Sequence, residues 1–224
     1  MLDALDLGFC AVEADIFATN SLILVGHSAK DLRPERNLAD LYLEPLARRV
    51  RRNGGRVHPG GPEFLLLIDI KTEAELTYQK LKPLLERYRD ILTSFHGEQI
   101  HTNAIRIVLS GERPIATVSN EVDRLVAIDG RTSDLNSKAP LSLIPLISDN
   151  WTTLFKWRGN GSFPTTEETR LRSLVEATHR EHRQLRLWAA PDLPASWKVQ
   201  REVGVDFINT DKLSELAGQL KKSL

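Results

Sequence analysis

Short apolar runs alternate with longer amphipathic stretches along the whole chain, and few folds accept that pattern. The clearest run is FLLLIDI, residues 64–70, apolar at all but one position. A strand apolar on both faces of its pleat has to be covered on both sides, as in a parallel sheet flanked by helices. Other strand-like runs are 10–17 (CAVEADIF), 104–109 (AIRIVL), 125–128, 143–147 (LIPLI, weakened by Pro145), 185–189 (LRLWA) and 205–208 (VDFI). A further run at 22–25 reads as a hairpin partner of the first. Helical spacing covers 38–52, 73–92, 166–182, a short stretch near 195–202, and 210–220. Asn53-Gly54-Gly55 stops the first of these, and Thr165-Thr166-Glu167-Glu168 offers the third a capping oxygen and first-turn carboxylates.

With the hairpin strand set aside, seven strands of the alternating kind remain, and a closed (β/α)8 barrel has eight. Residues 2–8 (LDALDLG) read as a helix ending at a glycine, where the alternation calls for a strand. The expected fold is therefore α/β, a TIM (β/α)8-type barrel lacking its first strand. It is expected as a single domain over 1–224, since such barrels run to about 200–250 residues as one unit. Pro59-Gly60-Gly61-Pro62 and Arg158-Gly159-Asn160-Gly161 then read as loops within it.

Composition removes several functions. Lysine plus arginine and aspartate plus glutamate number 30 each, so no net field draws in nucleic acid. The dense basic run Arg48, Arg49, Arg51 and Arg52 sits where a helix ends and complements its dipole. Cys10 is the single cysteine, which excludes an internal disulfide and a thiolate metal cluster. No stretch approaches the ~20 apolar residues of a membrane span, and no leader-like segment opens the chain. The compartment stays open: cytoplasmic, or secreted with a leader upstream.

In a barrel of this kind catalytic groups stand at the carboxyl ends of strands. Glu13 and Asp15, two apart on the first strand, face the same side. Side by side in a barrel mouth they repel unless a cation or a shared proton holds them, and hard oxygen donors suit magnesium or calcium. An ordinary exposed edge is the competing reading. Asp69 ends the apolar run 64–70, with Lys71 two residues on. A buried ion pair explains these two residues, and so does a metal and phosphate site; the residues alone leave both open. His27, after the run 22–25, is suited to proton transfer near neutral pH. His58, His96, His101, His179 and His182 read as loop or helix-surface residues, with a shared metal on His179 and His182 a minor alternative. Ser110-Gly111-Glu112-Arg113, Ser148-Asp149-Asn150-Trp151, Arg186-Leu187-Trp188 and Asn209-Thr210-Asp211 bring polar or aromatic groups to later strand ends, where turns and caps are equally served.

Val12-Glu13-Ala14-Asp15, Val25-Gly26-His27, Leu67-Ile68-Asp69-Ile70-Lys71, Leu146-Ile147-Ser148-Asp149-Asn150-Trp151, Leu187-Trp188-Ala189 and the segment from Gly204 to Asp211 come in an order with a known counterpart. Together they resemble the glycerophosphodiester phosphodiesterase family of the phospholipase-C-like superfamily, in a bacterial and fungal branch, over nearly the whole chain. The resemblance implies a (β/α)8 barrel that hydrolyses phosphodiesters with two histidines and a carboxylate-bound divalent metal, Mg2+ or Ca2+. It implies Glu13, Asp15 and Asp69 as metal ligands, Asp69 standing where a glutamate is often found. It makes His27 the second catalytic histidine and general acid, Lys71 the phosphate partner and Trp188 a wall of the substrate pocket. The family's first histidine falls upstream of Met1 on the absent strand, and Ser28 stands where relatives usually carry aspartate. The expectation is a hydrolase of glycerophosphodiesters or lipid-derived phosphodiesters, impaired by the missing histidine. The alternative is a non-catalytic barrel that binds a phosphorylated ligand. Strand edges left open by the missing strand favour a homo-oligomer. A glycosidase is disfavoured, because acids two residues apart do not flank a bond at ~5–9.5 Å.

Overall fold

The computed structural model describes residues 1–221. The chain forms two compact units, Met1–Ile128 and Asp129–Leu224. The first unit holds helix α1 (Leu2–Asp6), strands β1 (Ala11–Ala18) and β2 (Ile23–Val25), helix α2 (Glu44–Arg52), β3 (Phe64–Ile70) and α3 (Ala74–Glu86). It continues through β4 (Ser94–His96), β5 (Gln99–His101), β6 (Ile105–Gly111), α4 (Ile115–Asn120) and β7 (Asp123–Arg124) into the start of β8 (Val126–Gly130). The second unit takes up the end of β8, then β9 (Leu146–Asn150), α5 (Trp151–Leu154), α6 (Thr165–Arg180), β10 (Gln184–Trp188), α7 (Pro194–Val203), β11 (Phe207–Ile208) and α8 (Leu213–Lys221).

Within the first unit β1, β3, β6 and β8 are parallel neighbours in that order, and β2 is the antiparallel edge beyond β1. β3 is buried everywhere except Asp69, as its composition requires. β1 alternates: Ala14 and Ile16 are fully buried, while Glu13 and Asp15 leave by the other face. The Thr19 hydroxyl donates to the Leu22 carbonyl at 2.8 Å and accepts from the Leu22 N–H at 3.1 Å, closing the turn into β2. In the second unit β8, β9, β10 and β11 pair in parallel. Parallel strands separated by helices are the mixed α/β fold expected. Among the described residues β2 and β11 each have a single strand neighbour.

The strands follow the apolar runs within a few residues, and the departures have local causes. The expected strand 143–147 starts at Leu146, because Pro145 has no N–H to give; its carbonyl still accepts from the Gln184 N–H at 2.9 Å. The helix expected over 73–92 stops at Glu86. Tyr88, Ile91 and Leu92 keep the amphipathic pattern because they are buried, but they sit in successive i→i−3 turns, and Leu92 then bridges to Ile105. α6 begins after Pro164 with no side-chain cap, so the threonines do not cap it; Glu167 instead accepts the N–H groups of Lys156 and Trp157 at 2.8 and 3.1 Å. His96 and His101, expected in loops, lie on strands of a small antiparallel sheet ordered β5-β4-β7. That sheet is held by Phe95, buried under the Arg124 guanidinium 4.5 Å from its ring centroid. Strands this short carry no readable period.

The three tyrosines all resist ionisation. Burial, with the Glu44 carboxylate accepting from its hydroxyl at 2.8 Å, pushes Tyr88 up to about 12. Burial and Glu121 push Tyr78 higher still, and burial with the charges of Asp15 and Glu13 raises Tyr42. A raised folded pKa means the fold favours the neutral phenol. This contribution is whole below the unfolded value of about 10 and is lost as pH rises through the folded values. Tyrosinate absorbance is expected to be absent from the folded protein at pH ~10 and half-developed there in denaturant. A folded protein that titrates its tyrosines near 10 contradicts this packing.

Candidate metal and phosphate site

The parallel register of β1 and β3 sets Asp15 beside Asp69 and Glu13 beside Leu67. Side chains in register on neighbouring strands share a face about 4.8 Å apart. Glu13 and Asp15 are two apart on β1, so all three acids converge, and one oxygen from each lies within 4.8 Å of the others. Among the described residues this is the one group of three potential metal-ligating side chains. Lys71 follows β3 directly, its N–H given to the Ile16 carbonyl at 2.9 Å. Its Nζ lies 2.6 Å from Asp69 Oδ2 and 3.3 Å from Asp15 Oδ1. Burial pulls the Lys71 pKa down, but the hydrogen bond and charge of Asp69, joined by those of Asp15, outweigh it and hold the ammonium above the ordinary lysine value. The ion pair read from the sequence is therefore present, and it is one edge of a larger cluster.

Asp69 is used on one side only. Its Oδ1 is buried without a hydrogen-bond partner, a costly state for a carboxylate oxygen. Beside it β6 ends on Gly111, where a Cβ would fall 2.0 Å from that oxygen. Three hard oxygen donors, an orphaned buried oxygen and a cradle that a side chain would fill fit a hard divalent cation such as Mg2+ or Ca2+.

His27 reaches the group through the β1–β2 hairpin. The Gly26 N–H donates to the Asp15 carbonyl at 3.2 Å, and His27 Nδ1 stands 3.2 Å from Asp15 Oδ2 with 92% of the side chain exposed. Ser28 ties down the loop that follows: its N–H and its hydroxyl each donate to Asp31 Oδ2 at 2.8 Å. Those two bonds hold the Asp31 carboxyl below the usual range. Tyr42, which sequence reasoning passed over, lies in a π-helical stretch (Ala39–Leu43) leading into α2 and donates to the Glu13 carbonyl at 3.2 Å. π-turns gather at functional sites, but nothing in the run 38–52 marks one. In sequence Gly111 reads only as part of a polar strand end.

Trp188 ends β10 in the second unit, 38% exposed. Other polar strand ends there are engaged internally: Asp149 Oδ2 accepts from the Thr132 hydroxyl, and Asn209 Oδ1 accepts from Arg186 Nε at 2.7 Å. Asn209 thus serves the sheet, and Thr210 Oγ1 accepts from the Lys212 N–H at 2.9 Å in the turn before α8. His179 Nε2 meets Asp206 Oδ2 at 2.8 Å, His58 Nε2 meets the Phe9 carbonyl at 2.9 Å, and His96 Nδ1 meets Asp123 Oδ1 at 2.6 Å. No metal set on His179 and His182 is found among the described residues, and no described helix is long and apolar enough to cross a membrane.

Residues 1–129 match the model of the AIM6-like phosphodiesterase domain. The chain is 28% identical over 260 residues to altered inheritance of mitochondria protein 6 of Eremothecium gossypii, covering 97% of this chain and 65% of that protein. It is 25% identical over 243 residues to the Arthroderma benhamiae homolog, with 96% and 76% covered. The Lachancea thermotolerans protein of the same name is 28% identical over 264 residues, with 96% and 61% covered. The chain thus spans less than two thirds of the Eremothecium and Lachancea relatives. In structure it is similar to a glycerophosphodiester phosphodiesterase from Agrobacterium tumefaciens, with a TM-score of 0.53, 14% identity, and 97% of this chain and 89% of that one covered. It is also similar to a calcium-dependent phosphoinositol-specific phospholipase C from a Pseudomonas species, with a TM-score of 0.58, 10% identity, and 89% and 79% covered. At these identities the solved structures share its mixed α/β fold. The matched segment takes in β1, β2, β3 and β6, with Glu13, Asp15, His27, Asp69 and Lys71 on them or in the turns that follow, and the chain belongs to the AIM6-like phosphodiesterase domain family.

Proposed function

We propose that the chain is a divalent-metal-dependent phosphodiester hydrolase acting on glycerophosphodiesters or lipid-derived phosphodiesters. The observation that carries this reading is the convergence of Glu13, Asp15 and Asp69, with ligand oxygens within 4.8 Å, beside the Lys71 ammonium and the His27 ring. The three carboxylates hold Mg2+ or Ca2+, which when bound neutralises charge developing on the phosphoryl oxygens. Lys71, kept protonated by Asp69 and Asp15, adds a fixed positive charge toward an anionic phosphate. With the ring doubly protonated, His27 Nδ1 donates to Asp15 and Nε2 gives its proton to the departing alkoxide as water adds to phosphorus. Trp188 is the residue that the resemblance gives to the substrate. The parallel strands belong, in this reading, to a (β/α)8-type barrel, supported by the likeness to the two solved phosphodiesterases.

Hydrolysis of glycerophosphocholine and of lysophospholipid in the presence of Mg2+ or Ca2+ tests the proposal. Chelation with EDTA is expected to abolish turnover, and Glu13→Ala to lower kcat/KM at least ~100-fold. His27→Ala is expected to lower kcat by about 10²–10⁴ with little change in KM. Lys71→Met is expected to raise KM for the anionic substrate. Turnover indifferent to both EDTA and Glu13→Ala defeats the metal mechanism. Phosphodiester binding without any turnover points to the non-catalytic reading instead.

A further inference from the structure

Gly111 differs from the other glycines of the first unit that take positive φ. Its φ is +68°, in the left-handed region, and β6 ends on it with Ser110 in register with Asp69 and Gly111 with Ile70. A Cβ at this position would lie 2.0 Å from Asp69 Oδ1 and 2.4 Å from the Ile70 carbonyl oxygen. Gly8, at φ +91°, has nothing within 4 Å of the same construction. Gly8 therefore meets a backbone need alone, whereas Gly111 meets a backbone need and clears the space in which a carboxylate stands.

That carboxylate has little freedom to move aside. Asp69 Oδ2 is held by Lys71 Nζ at 2.6 Å, and Lys71 is also within 3.3 Å of Asp15 Oδ1. Swinging Oδ1 away from position 111 also turns Oδ2, which is bonded to the ammonium, and the Ile70 carbonyl at 2.4 Å and Ile70 N at 3.0 Å block a Cβ from the other side. We propose that Gly111 is a positioning residue. Its bare Cα fixes where the Asp69 carboxylate stands, and through Asp69 it sets the affinity of the three-acid group for a divalent cation. The inference rests on the reading of Glu13, Asp15 and Asp69 as metal ligands. It assigns Gly111 no contact with substrate.

Calcium titration calorimetry on the full chain provides the first test. Gly111→Ala is expected to weaken Ca2+ binding about 10- to 100-fold, the usual effect of losing a group that orients a ligand. Gly8→Ala, which carries only the backbone strain, is expected to leave affinity unchanged. In an Asp69→Ala background the same change at Gly111 is expected to cost clearly less affinity, because the carboxylate it places is gone and only the contact with the Ile70 backbone remains. Equal losses in both backgrounds overturn the proposal. Stability in EDTA gives a second test that needs no metal. Gly111→Ala/Asp69→Ala is expected to melt at least ~2 °C above Gly111→Ala, or to refold where the single variant does not. Failure of Asp69→Ala to rescue overturns the proposal even when Gly111→Ala never folds. A wild-type chain that takes up no Ca2+ or Mg2+ overturns the metal reading itself, and the rescue still decides whether Gly111 places Asp69.

Discussion

The parallel pairing of β1 with β3 is the constraint on which the site depends. Its register is fixed by burial on one face: Ala14 and Ile16 on β1 and Ile68 and Ile70 on β3 are at most 1% exposed. Fully burying an isoleucine-sized side chain stabilises by about 1.5–3 kcal/mol. A slip of one residue would carry every apolar side chain of the strand to the opposite face and every acid into the core. The packing that holds the sheet together therefore also fixes Asp15 opposite Asp69.

Bringing them together has an electrostatic cost. Two like charges ~4 Å apart repel by about 1 kcal/mol in water and about 4 kcal/mol at an effective dielectric of 20. Asp15 and Asp69 have side chains 20% and 17% exposed, so water screens them only in part. Lys71 supplies the local offset, at 2.6 and 3.3 Å from the two carboxylates. The ammonium leaves Asp69 Oδ1 without a donor. That orphaned buried oxygen is the feature of the group that a hard cation would satisfy.

How much of this was legible in the sequence depended on whether a property was local. The run 64–70 announced β3 through continuous apolarity, and the alternation at 10–17 placed Glu13 and Asp15 on one face. Asp69 stood out as a lone charge in an apolar strand, with Lys71 on its own side. Tyr42 was not legible, because its bond to the Glu13 carbonyl depends on a π-helical stretch whose residues are ordinary helix formers. Nor was Gly111, since its role depends on an oxygen forty-two residues back in the chain and on a neighbour across the sheet. The sheet β5-β4-β7 escaped for the same reason: its short strands are held by the stacking of Arg124 on Phe95, a contact that no period encodes.

Polar residues at strand ends differ in how far their hydrogen-bonding capacity is already spent. In the second unit Asp149 serves Thr132, Asn150 caps α5 through the Thr152 N–H, and Asn209 receives Arg186. These three have internal bonds that account for them, whereas the buried Ser148 hydroxyl on the same β9 has no hydrogen-bond partner among the described residues. In the first unit Asp69 keeps a buried oxygen with no donor, and His27 stands exposed with one ring nitrogen on Asp15. A residue with a purely structural task is expected to have its buried polar atoms paired, because an unpaired one costs about 1–3 kcal/mol. Asp69 carries that cost at the one place among the described residues where three potential metal ligands meet. An unmade bond alone does not mark a site, as Ser148 shows; the unmade bond of Asp69 stands out because it falls where three potential metal ligands meet.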